Sequence, residues 1–78
     1  MAVNILIEDI GRAETAQAAK TLLDFGIGAA RSNDYPMAKI LLVCAVGFAN
    51  EAEDGTTAQK AQQVLDEATS RELAKNMG

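Results

Sequence analysis

The sequence predicts an all-α fold, an antiparallel helical hairpin followed by a third helix, and three observations carry that prediction. The 78 residues are 49% hydrophobic but only 4% aromatic, so the apolar content is Ala, Leu, Ile and Val rather than the aromatic mix common in sheet domains. Ala and Leu lead the helix propensity scale. Two long stretches repeat their apolar residues at the helical period of 3.6. Between them, residues 36–50, PMAKILLVCAVGFAN, carry one charge, Lys39, and are apolar on every side of a helix drawn through them. Such a helix needs cover from more than one side. Its neighbours in the chain, or another molecule, must supply it.

Residues 1–78 read as a single helical domain, beginning with an N-terminal segment over 1–12. In that segment Ile5, Leu6 and Ile10 suit a helix, whereas Val3, Ile5 and Ile7 alternate as a strand would. An isolated strand would need a partner strand from another molecule, so an extra helical segment is the expectation, with a break at Gly11. The first long helix is predicted over 13–31. Ala16, Ala19, Leu23, Ile27 and Ala30 form its stripe, widened by Leu22 and Phe25. Gly26 and Gly28 each weaken it by roughly 1 kcal/mol relative to Ala. Two such costs in one helix imply that something approaches its backbone closely.

Ser32, Asn33 and Asp34 make a polar turn, and Pro36 stands in the first turn of the second helix, where proline is tolerated. That helix is predicted over 36–50, capped by Asp34 or Tyr35. Gly55 is placed to stop it in the left-handed conformation. The third helix is predicted over 56–77. Thr56 with Gln59 three residues later matches a capping box, and Ala58, Ala61, Leu65, Ala68, Leu73 and Met77 approximate one face. This amphipathic helix is expected to cover one side of the second.

Composition narrows the chemistry. Lys and Arg number 7 against 11 for Asp and Glu, a formal charge of −4 that opposes attraction to phosphate backbones, so no nucleic-acid partner is expected. There is no His, which removes the commonest general base and neutral metal ligand. The single cysteine, Cys44, lies within the apolar run and is expected to be a buried small hydrophobe rather than a nucleophile. Glu51, Glu53 and Asp54 lack the alternating oxygen ligands of a calcium loop and read as a solvated connection. Neither an enzyme, nor a metal site, nor a cofactor is expected. The run from Ile40 to Ala49 is far shorter than the ~20 apolar residues of a membrane span. The N-terminus lacks the basic region of a signal peptide. A cytoplasmic location fits the cysteine usage.

The spacing from Leu22 to Ala45 carries a further hint. Leu22, two residues, Phe25-Gly26, two residues, Ala29, then Ala38, three residues, Leu42, two residues and Ala45 resembles the 34-residue tetratricopeptide repeat. Gly26, Ala38 and Ala45 match the small residues of that family. Leu22 replaces its usual Trp, Ala29 its Tyr, Leu42 its Phe, and Asn50 its closing Pro. The resemblance covers one repeat plus a capping helix. It implies that small residues let the paired helices approach closely. It also implies that ligand-facing positions fall on Lys20, Leu23, Ile27, Ala30 and Arg31, joined from the third helix by Gln59, Gln63, Asp66 and Glu67. In the plainer alternative, Leu23 and Ile27 are core residues of a three-helix bundle.

A solitary hairpin of this kind cannot bury both its faces. With Ile40, Leu41 and Cys44 turned inward, Val43, Val46 and Phe48 lie toward the opposite side and are the expected oligomer interface. The function expected is therefore a small non-enzymatic interaction module, an adaptor, chaperone or complex subunit working as a homodimer or on a protein partner. The alternative is a small acidic inhibitor, of the type phages and mobile elements encode, that binds and blocks a host protein.

Overall fold

The computed structural model describes residues 2–77, with side chains described at residue 11 and from 13 to 77. The described residues form three α-helices and no strand: α1 Ala2–Arg31, α2 Tyr35–Glu51 and α3 Gly55–Met77. The expected break at Gly11 does not occur, and α1 runs through it. One interior glycine costs only about 1 kcal/mol, too little to end a helix with good formers on both sides. The side-chain pattern expected for Val3, Ile5, Leu6, Ile7 and Ile10 lies outside the described residues.

The two connections are the same turn built twice, twenty residues apart. After α1, Asn33 takes the left-handed conformation with φ of 63°, and after α2, Glu53 does so with φ of 58°. In the first turn the amides of Asn33 and Asp34 donate to the carbonyls of Ala30 and Ala29. In the second, those of Glu53 and Asp54 donate to Asn50 and Ala49 in the same order. This is the Schellman arrangement, which satisfies carbonyls the helix end would otherwise leave unpaired. The next residue in each case is an aspartate that caps the following helix. Asp34 Oδ1 accepts from the Met37 amide at 3.3 Å, and Asp54 Oδ1 accepts from the Thr57 amide at 3.2 Å. Two expectations are corrected here: Glu53, not Gly55, bends the chain, and Asp54, not Thr56, caps α3.

α2 is the central helix. α1 and α3 each pack along it, while α1 and α3 meet only sparsely. The contact stripe of α2 is Ala38, Leu42, Ala45 and Ala49, all fully buried. Small residues there allow both neighbours to come close, and among the described residues Leu42 is the one large side chain completely enclosed. Gly26 is buried opposite it: a β-carbon at Gly26 would stand 2.7 Å from Leu42 Cγ and Cδ2. The close approach anticipated for this helix therefore occurs at Gly26. Gly28 has nothing within 4 Å of its would-be β-carbon.

Ala19, Ala49 and Ala58 form a second buried cluster two turns away from the Gly26 crossing. That register sends the N-terminal turns of α1 past the end of α2. At the other end α3 runs past the start of α2, where Met77 is exposed; Leu73, between the Glu72 and Lys75 that still contact α2, is exposed as well. The result is a rod of 58 × 17 × 14 Å.

Candidate interaction surface

The outward face of α2 is apolar and uncovered. Ile40, Cys44, Gly47 and Glu51 follow one another at steps of three and four residues. At 100° per residue, that places them directly opposite Ala38, Leu42, Ala45 and Ala49. Ile40 is 60% exposed, Val43 57%, Met37 46% and Phe48 41%. On α1, Phe25 is 62% exposed beside the Gly26 crossing. Scattered exposed apolar residues need no explanation, but four large ones on the uncovered side of one 17-residue helix mark a surface made for contact.

The inward assignment of Ile40, Leu41 and Cys44 holds only for Leu41, whose β-carbon lies 3.6 Å from the would-be β-carbon of Gly26 on α1. Ile40 and Cys44 are exposed, and Leu41 is half-buried. The expectation of a buried Cys44 fails for the same reason: the alanine stripe, not the bulkier aliphatic one, faces the core. Of the three residues expected to meet a second molecule, Val43 and Phe48 are exposed and Val46 is half-buried against the core cluster. Cys44, Gly47, Phe48 and Glu51 line a shallow, largely apolar notch of about 280 Å³ on this face. Gly47 opens it, because nothing lies within 4 Å of the position its β-carbon would take.

The charged residue of α2's interior is drawn off this face. Lys39 Nζ pairs with Glu72 of α3, at the side where the two helices meet. Nearby, the Lys75 ammonium stands 5.9 Å from the centroid of the buried Tyr35 ring, within reach of a cation–π attraction. The Tyr35 hydroxyl donates to Asn33 Oδ1 at 2.9 Å, so the tyrosine ties the first turn to the core.

The positions named for a peptide groove are distributed differently. Leu23 is buried with Leu42 and Ala61, and Ile27 is half-buried against the same cluster. Lys20 and Arg31 are exposed on α1, while Gln59, Gln63 and Asp66 are exposed on α3. Gln63 and Asp66 share a shallow depression with Glu67, Ser70 and Arg71, all of α3. Lys20 lies near the start of α3, where its charge helps lower the Asp54 carboxyl. The larger causes of that shift are the side-chain and backbone hydrogen bonds Asp54 accepts from Thr57.

Among the described residues there is no group of three or more His, Cys, Asp or Glu that could hold a metal ion. No described helix is long and apolar enough to cross a membrane. Met37, Ile40, Cys44 and Gly47 are the α2 surface residues that sequence reasoning missed. The signal that could have found the orientation is the helical spacing of the alanines: Ala38, Ala45 and Ala49 lie along one side of α2 with Leu42, and Met37, Ile40, Val43 and Phe48 lie away from it. No family model, no curated protein and no solved structure matches the chain.

Proposed function

We propose that this chain is a small, non-enzymatic protein interaction module that works in the cytoplasm as a homodimer, as an adaptor, chaperone or complex subunit. The observation that carries this reading is the uncovered apolar face of α2, where Met37, Ile40, Val43 and Phe48 stand exposed on a helix already packed on its other side. Burying that face removes apolar area from water at roughly 25 cal/mol per Å² before the costs of association. Within this reading α1 and α2 act as a repeat-like hairpin, with Gly26, Ala38 and Ala45 as its close-packing residues and α3 as its cap.

The test is sedimentation equilibrium or light scattering on the purified chain and on Val43→Asp. A charge on the exposed face has solvent to point into in the monomer, so the variant is expected to keep its helical circular dichroism and lose the dimer. A wild-type chain that stays monomeric at high micromolar concentration would remove the homodimer.

A further inference from the structure

We infer that α2 pairs antiparallel with α2 of a second copy, about a twofold axis passing between Val43 and Cys44, with Ile40 of each copy entering the notch at Gly47 of the other. This geometry rests on the reading of α2 as the interaction surface. Its first support is Gly47 itself. A glycine in the middle of a helix weakens it, and the packing offers no reason for one here, since among the described residues nothing beyond its own stretch of helix lies within 4 Å of the added β-carbon. The open side of Gly47 is accounted for when something from outside fills it.

The second support is spacing. Ile40 and Gly47 lie equally far from the point between Val43 and Cys44, about 5 Å along the helix on either side. An antiparallel twofold therefore brings each protruding Ile40 opposite the other copy's gap, twice over. Both the knob and the notch lie on one face, so the face is complementary to itself, which is what a C2 contact requires.

Charge selects this order over the parallel one. Two chains of net charge −4 repel in general, but the face from Met37 to Phe48 has no charge turned outward, because Lys39 is engaged by Glu72. Parallel packing would set Glu51 against Glu51. Antiparallel packing sets each Glu51 beside the start of the other α2, where unpaired amides favour an anion. Asp34 already caps one amide there, so this contribution is small. One helix face about 25 Å long buries less than the ~800 Å² per partner of a standard stable interface, so the pairing is reversible.

Three measurements on the full chain test the pairing. Cys44 lies at the axis, so a short bismaleimide should join two wild-type chains through it. A mixture of an Ile40→Cys, Cys44→Ser chain with a Gly47→Cys, Cys44→Ser chain should give mixed crosslinked dimers in preference to either self-crosslink. Gly47→Leu should weaken self-association at least tenfold without lowering the melting midpoint of the dilute monomer. Preferential self-crosslinking of Ile40→Cys chains would mean parallel order and overturn the proposal. Self-association without either expected crosslink also overturns this pairing, while leaving the interaction reading standing. A chain monomeric at every concentration overturns both.

Discussion

Gly26 and Gly28 lie two residues apart in α1 and should respond to alanine in opposite directions. At Gly26 the new β-carbon would meet Leu42 at 2.7 Å, and Leu42 is enclosed on all sides. Overpacking of this kind costs about 1–3 kcal/mol, more than alanine's helix preference returns. At Gly28 the space is open, so alanine should add about 0.5–1 kcal/mol. Urea denaturation of the two variants checks both signs. Asp54 offers a second test at this scale. Its carboxyl is held below the ordinary value of 3.8, mainly by the hydrogen bonds from Thr57. A depressed folded-state pKa contributes stability that is complete above the unfolded value and lost as pH falls through the folded one. Asp54→Asn should therefore flatten the acid side of the stability curve below pH 3.8, measured as urea midpoints against pH. Equal acid sensitivity in the two proteins would contradict the assignment.

At the scale of the helix, Leu42 and Ile40 are similar side chains two residues apart with opposite environments. Leu42→Ala should lose about 2–5 kcal/mol by opening a cavity. Ile40→Ala should leave the monomer's stability within about 0.5 kcal/mol, since the residue is exposed. Chemical denaturation below the dimerisation range separates the two. This contrast also shows how far the sequence could be read. Three helices, the hairpin order and the central place of α2 follow from the apolar period, Pro36 and the polar turns. Which side of α2 faces inward does not, because period analysis orients a helix only by its polar face, and this helix has almost none. The close approach of α1 and α3 selected the alanine side, with Gly26 fitted against Leu42, and left the bulkier residues outside. The turn after α2 was misread for a related reason: Gly55 is the residue best suited to positive φ, yet Glu53 adopts it because Asp54 must follow to cap α3.

For the whole molecule, shape and association have to be measured separately. The radius of gyration is 14.8 Å, against about 11–12 Å for a compact chain of this length, so elution volume alone will overstate the mass. Cys44 gives an independent readout. It is exposed in the single chain, so it should react readily with a thiol reagent in dilute native protein. Labelling should slow as protein concentration rises and the axis of the proposed dimer closes over it. Invariant labelling would count against the dimer. The placement of α2 between two helices that scarcely touch also governs how the chain finds its fold. Each helix pairs mainly with the one next to it in sequence, so the loops to be closed before contacts form are short. Helical domains with such local contacts fold in microseconds to milliseconds.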